Sequence, residues 1–248
     1  MPDPFHFDVH AEVYDRARPP YPEALWRALA PLLGPGVRVL ELGAGSGLAT
    51  GPLLAAGAEV TAVEPGPALA ARLRARHPAA VVLTTTAEAA PLPAAAFDLA
   101  AVATAVHWLD LDVVLPKLHT ALVPGGHLAV WRNAFGDPQA APTAFRRRVA
   151  QITARREEAA RPGPGELDTG QWARQLSRTG HFTVRDVQEF RWSVELTGAQ
   201  VRDLFTTFSN WSAAEAAEAA AAVDELGGTV REHYLTPLIL LRRNGPEL

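Results

Sequence analysis

The sequence predicts an α/β fold built on a doubly wound, mostly parallel β-sheet with helices on both faces. Three observations predict it. Short apolar runs at 37–42, 59–64, 81–83, 97–102 and 127–131 are separated by helix-forming stretches, the alternation of βαβ units. Right-handed crossovers leave such an alternation few topologies other than a doubly wound sheet. The first run also ends in alternating glycines that open straight into a helix, the junction at which such sheets bind ligands.

Ahead of the sheet, 22–30 reads as a helix with Pro22 in its first turn. The glycine turn leads into a helix from about 46 to 56, and the second strand into a helix over 67–76. After the fourth strand a helix over 111–122 stops at Pro124-Gly125-Gly126, before the fifth. Beyond Arg132 the rhythm changes. An arginine- and alanine-rich helix is expected at 142–158, a loop at Arg161-Pro162-Gly163-Pro164-Gly165, a helix near 169–178 and a strand near 183–192. The 213–226 stretch is low in complexity, but alanine and glutamate are strong helix formers, so it reads as a helix. A strand over 234–241 completes seven. No repeat and no long linker divides the 248 residues into two cores.

Composition narrows the function classes. A net charge of −4 gives no basic field, so nucleic acid is not an expected partner. Cysteine is absent, which excludes disulfides, thiolate metal sites and cysteine nucleophiles and fits a cytoplasmic protein. No H-E-x-x-H occurs and the histidines are scattered, so no metal site is expected. The first residues lack the basic and apolar stretches of a signal peptide, and no apolar run is long enough for a spanning helix.

The informative segment is Val39-Leu40-Glu41-Leu42-Gly43-Ala44-Gly45-Ser46-Gly47. Alternating glycines let a ligand approach the backbone, and Glu64, at the tip of the next strand, is placed to accept the hydroxyl hydrogens of a ribose. A nicotinamide cofactor requires the G-x-G-x-x-G/A spacing. Here that sixth position holds Leu48 counted from Gly43, or Thr50 counted from Gly45. Glu41 would also repel a pyrophosphate, whereas it suits a ligand carrying an ammonium and a sulfonium.

On these residues the chain resembles the class I S-adenosylmethionine-dependent methyltransferases, well over roughly 10–135 and loosely beyond. Glu41, Gly43, Ala44, Gly45, Ser46 and Gly47 are similar to that family's first motif, which holds the methionine part of the cofactor. Val63-Glu64-Pro65 looks like the second, and the resemblance implies Glu64 on the ribose and Pro65 beside the adenine. By the same resemblance Ala87 and Glu88 line the adenine, and Ala103 offers its carbonyl to the cofactor amine. In place of the acidic residues often seen near the adenine stand Thr84-Thr85-Thr86. Tyr14-Asp15-Arg16-Ala17-Arg18 and Ala105-Val106-His107-Trp108 look like the small-molecule branch that includes trans-aconitate-methyltransferase-like proteins. In that branch Tyr14 and Arg18 would close over the cofactor and His107 and Trp108 would face the substrate. The resemblance implies a single Rossmann-like, seven-stranded domain over 1–248. Its parts are an N-terminal helical cap (1–35), a cofactor-binding core (36–135), a helical substrate-covering lid at the sheet's carboxyl edge (136–228) and a final strand (229–244).

Methyl transfer from a sulfonium needs alignment and exclusion of water more than dedicated catalytic groups. His107 is the candidate catalytic residue: for a hydroxyl acceptor it would remove a proton, a role worth about 10²–10⁴ in rate, and for a carboxylate it would only orient. Trp108, Tyr21 and Arg132 are the substrate-binding candidates, Arg132 as an anchor for an anionic acceptor, and Tyr21 also packs the N-terminal helix onto the sheet. The expected reaction is methyl transfer to a small molecule, with oxygen as the acceptor atom. The alternative keeps the bound sulfonium but uses it in a non-methylating rearrangement or cyclisation.

Overall fold

The computed structural model describes residue 8 and residues 11–156 and 168–245. The loop expected at 161–165 and the end of the helix expected at 142–158 lie outside the described residues. Two short helices, α1 (Ala11–Ala17) and α2 (Glu23–Leu29), precede the sheet. Then β1 (Arg38–Leu42), α3 (Thr50–Ala55), β2 (Glu59–Val63), α4 (Pro67–Arg76), β3 (Val81–Leu83), β4 (Phe97–Ala103), α5 (Leu111–Ala121) and β5 (Leu122–Trp131) alternate as the apolar runs predict. After a two-residue β6 (Ala134–Phe135) come α6 (Ala144–Thr153), α7 (Thr169–Ser177), β7 (Phe182–Thr197), α8 (Gly198–Thr206), α9 (Ala213–Glu225) and β8 (Thr229–Arg243).

The sheet runs β3-β2-β1-β4-β5-β8-β6, with β7 on the other edge of β8. The pairs β3-β2, β2-β1, β1-β4 and β4-β5 are parallel; β8 runs antiparallel to β5, β6 and β7. The order turns back at β1 and β4, so their carboxyl ends form the crevice where such sheets bind ligands. The sheet has eight strands rather than seven, because two residues past β5 hydrogen-bond to Tyr234 and Leu235 of β8.

Strand alternation sends successive side chains to opposite faces. Leu40, Leu42, Val102 and Val130 pack with Leu115 and Leu118 of α5 and with Trp172 and Leu176 of α7. Val39, Leu99, Ala101 and Trp131 pack on the other face with Leu25, Leu53 and Leu73 from α2, α3 and α4. A third core joins Phe145 and Val149 of α6, Val201 and Leu204 of α8, and Ala216 and Val223 of α9. Besides its helices the covering region carries the strand expected near 183–192, which runs on to Thr197. β7 and β8 pair from Phe182↔Arg243 to Thr197↔Thr229, whereas β5 pairs with β8 only up to Trp131↔Leu238. The ribbon therefore runs on past the end of β5, and α8 and α9, inserted between its strands, stand at the carboxyl edge.

Candidate functional site

The chain turns through 45–49 and becomes helical only at Thr50, later than expected, because Gly43, Gly45 and Gly47 all hold left-handed φ (66°, 58° and 96°). The three glycines do different work. A Cβ on Gly43 would stand 2.5 Å from the Ala105 Cβ, so Gly43 lets the segment after β4 close on the turn. A Cβ on Gly47 would meet the His77 ring at 2.5 Å, so Gly47 makes room for the end of α4. At Gly45 the nearest atom is Cε1 of Tyr14, at 3.5 Å. Gly45 is the glycine with backbone open to a ligand, under the tyrosine of α1.

Alternation along β1 puts Glu41 on the Val39 face, beneath α3. There it is buried; the Thr50 hydroxyl donates to its Oε2 at 2.6 Å, while its Oε1 has no partner. Desolvation pushes the Glu41 carboxyl up to about 8, with the nearby charge of Glu64 adding and the Thr50 hydrogen bond opposing. Glu64, also buried, accepts from the amides of Gly45 and Gly66, each at 2.8 Å. Burial raises its pKa and these amide bonds counter the rise. Each Glu64 oxygen keeps a further lone-pair site, as a ribose diol requires.

Helix α1 straps the site. Asp15 pairs with Arg76 of α4 on one side, and Arg16 donates to Asp203 of α8 at 2.8 Å on the other. Arg18 donates through Nη2 to the Thr207 carbonyl at 2.8 Å, and its guanidinium lies over the rings of Tyr14 and Phe208. Beneath the strap lies a small, partly open recess bordered by Tyr14, Arg18, Tyr21 and Leu48 of the glycine turn and, from the lid side, by Phe135, Phe208 and Tyr234. The Tyr21 hydroxyl hydrogen-bonds Thr104 Oγ1 at 2.9 Å, so this substrate-binding candidate reaches the cavity with its polar end already engaged. Thr104, directly after β4, holds a left-handed φ of 58°. A β-branched residue bears strain there, and the site fixes it by the Tyr21 bond and by its amide to the Trp131 carbonyl at 2.7 Å.

The other candidates form a second group. His107 and Trp108 sit in a short 3₁₀ turn, Val106–Trp108, with ring centroids 5.1 Å apart. The buried Arg132 donates from Nη2 to His107 Nδ1 at 3.1 Å and lies over the Trp172 ring. Arginine cannot accept, so Nδ1 is the acceptor and a neutral His107 carries its proton on Nε2. In this contact the Nδ1 lone pair of His107 is engaged by Arg132. Ala87 is buried, and Lys117 Nζ donates to the carbonyls of Ala87 and Glu88 at 3.2 and 2.6 Å. The Glu88 carboxylate accepts the Asp110 amide at 3.0 Å, turned toward the start of α5. Ala44 and Ser46 are buried within the turn, Pro65 is half-buried after β2, and Ala103 ends β4 opposite Trp131. Sequence reasoning missed Tyr234, Thr104, Lys117 and His77. Only the lone lysine carried a signal, its rarity. Among the described residues no group of three or more His, Cys, Asp or Glu could hold a metal ion, and no helix is long and apolar enough to cross a membrane.

Residues 40–130 match a family described as a methyltransferase domain. Over that span the chain is similar to a methyltransferase domain. A relative named only as an uncharacterized methyltransferase of Mycobacterium tuberculosis is 42% identical over 121 residues, covering 48% of this chain and 49% of its own. The chain thus spans about half the length of the curated relatives it matches. A solved structure from Anaeromyxobacter dehalogenans, provisionally assigned as a type II methyltransferase, is 26% identical, covers 91% of this chain and 97% of its own, and superposes with a TM-score of 0.65. A [4+2]-cyclase, 17% identical over 92% of this chain and 83% of its own with a TM-score of 0.54, shares the fold alone.

S-adenosylmethionine is the cofactor of such a domain, and the residues present fit it. The turn exposes backbone at Gly45, and the buried Glu41 carboxyl at the end of β1 keeps one oxygen unpartnered, a feature that suits a cationic ligand. Glu64 stands at the next strand tip with lone pairs to spare.

Proposed function

We propose that this chain is an S-adenosylmethionine-dependent methyltransferase acting on a small molecule, with oxygen as the acceptor atom. The observation that carries the reading is the turn at Gly45, open backbone between two buried carboxylates. Gly43, Ala44, Gly45, Ser46 and Gly47 hold the methionine part, Glu64 and Pro65 the nucleoside, Ala87 and Glu88 the base, and Ala103 the amine, while Tyr14 and Arg18 close over the cofactor. Bound there, S-adenosylmethionine supplies a methyl group made electrophilic by its sulfonium.

The chain's own residues then hold the acceptor in line and keep water away. Arg132 fixes the ring of His107, which presents its Nε2 proton as a donor to an acceptor oxygen. Trp108 and Tyr21 wall the pocket. This favours an acceptor that already carries a negative oxygen, because no proton then has to leave. The test is incubation of a metabolite extract with purified protein and cofactor carrying a deuterated methyl group, read by mass spectrometry. The reading expects the label in a new small-molecule product. Label retained in the cofactor while a substrate rearranges overturns it in favour of sulfonium-assisted cyclisation.

A further inference from the structure

Where β5 and β7 begin and β8 ends, the sheet edge opposite the glycine turn carries an open cavity of about 490 Å3. Gly125, Thr183, Arg185, Arg242, Arg243 and Asn244 line it. Several of its polar groups are engaged within the protein. Thr183 donates to Asn244 Oδ1 at 2.7 Å, the Asn244 side-chain amide donates to the Gly180 carbonyl at 2.6 Å, and Arg243 Nε donates to the His119 carbonyl at 2.6 Å. Arg185 and Arg242 are exposed and differ from these. No carboxylate among the described residues pairs with either, whereas Arg38, Arg178, Arg191 and Arg231 each hold one.

The backbone brings the two charges together. Arg242 stands opposite His127 of β5 on one side and Thr183 of β7 on the other. The β7–β8 register passes from Val184↔Leu241 to Asp186↔Leu240, so Arg185 is the extra residue of a β-bulge, a device that re-aims a side chain. The Asp186 carboxylate, next in β7, accepts the Gln188 side-chain amide at 2.6 Å. Gly125, at a left-handed φ of 77°, leaves room for the Arg242 guanidinium, which a Cβ there would meet at 3.1 Å. Both guanidiniums are felt by one neighbour: burial lowers the pKa of His127, and the charges of Arg242 and then Arg185 lower it further. Like charges gathered across strands repel, a cost that a bound anion removes.

We propose that this cavity is a second ligand site, which takes the phosphate monoester of a small organic molecule between Arg185 and Arg242. Two guanidinium forks match phosphate oxygens in geometry and charge. Cavities of roughly 300–1,000 Å3 hold small organic molecules, so this one leaves room for an organic part beyond the phosphate. The site is separate from the glycine turn. Arg242 is level with His127, which stands four residues, or about 13 Å along β5, before Trp131 at the carboxyl edge.

The test follows the His127 ring by NMR titration of the full chain, with phenyl phosphate, inorganic phosphate and sodium chloride at matched ionic strength as probes. Phenyl phosphate is expected to raise the His127 pKa saturably, by about one unit, because a dianion nearby favours the charged ring. Inorganic phosphate is expected to bind about tenfold more weakly, since it lacks apolar surface to bury, and chloride to give no saturable change. Arg185→Gln and Arg242→Gln are each expected to weaken phenyl phosphate about tenfold, with the rest of the spectrum showing the fold intact. An unchanged His127 titration with phenyl phosphate, an equal response to chloride, or variants that bind phenyl phosphate as the wild type does overturns the site. Inorganic phosphate binding as tightly as phenyl phosphate overturns its assignment to an ester.

Discussion

Glu41 shows how one position can couple folding, charge and ligand. Its carboxyl rises from 4.5 to about 8 because burial penalises the ion. Between those values the folded chain binds a proton that the unfolded chain has released, so Glu41 takes stability away as pH rises through that window. Thermal unfolding between pH 6 and 9 is expected to show a falling Tm that flattens in Glu41→Gln. A bound cation reverses the preference and draws the proton off. Calorimetry of S-adenosylmethionine binding at pH 7 in buffers of different ionisation enthalpy is expected to show proton release, absent in Glu41→Gln. Beside it, Gly43→Val would drive a Cβ into Ala105 in a left-handed conformation closed to valine. The expected result is loss of cofactor binding and about 1–3 kcal/mol of stability in urea titration. The acidic and glycine positions were legible because one backbone turn fixes them. Tyr234 and Thr104 were not, because each matters through partners from distant parts of the chain, such as Trp192 and Arg18 or Tyr21 and Trp131.

Among the elements, α4 could be read to the residue from Pro67 at its first turn, and β1, β2 and β4 from apolar runs largely buried in the sheet, whereas β5 begins at Leu122 rather than at 127. α8 went unseen. Its start is a capping box in which Thr197 accepts the Gln200 amide and Gln200 accepts the Thr197 amide, directly after β7, and a strand ending in threonine gave no break to read. β7 was cut short at 192 for a related reason. As an edge strand with one partner it keeps most side chains partly exposed, and polar residues at 193 and 195 hide its continuation. The lid's other helix, α9, is almost all alanine and glutamate, so its position depends on its start. Ser212 and Glu215 cap each other's amides there, and Arg156 donates to Glu215 at 2.7 Å. Ser212→Ala is expected to cost about 1 kcal/mol in urea unfolding. The Glu215 carboxyl is lowered to about 2, chiefly by the Arg156 hydrogen bond. That support exists above about 4.5 and is lost as pH falls toward 2, so Glu215→Gln is expected to narrow the acid-side loss of Tm.

At the scale of the whole molecule, the chain closes its site with two pieces far apart in sequence. α1 belongs to the N-terminus and α8 to the β7–β8 excursion, yet Arg16 meets Asp203 and Arg18 meets the Thr207 carbonyl. The Arg16–Asp203 pair is solvent-exposed enough to add little stability on its own. Tyr14 lies over Gly45, so a ligand on the turn meets the strap. This joint was not legible in the sequence, since nothing local to 11–18 names 203 or 207 as its partner. It makes a definite expectation for hydrogen exchange. In the free protein the amides of α1 and the glycine turn exchange by local opening, faster than those of β1, β4 and β5 buried between two helical layers. S-adenosylhomocysteine at about 100 times its Kd stabilises the closed form by ~2.7 kcal/mol, which slows exchange through that opening about 100-fold. Protection is therefore expected over 11–18, 43–50 and 198–208 together, with α9 changed little. Protection confined to the glycine turn would show that the strap does not close on the ligand and that Tyr14 and Arg18 have no part in holding it.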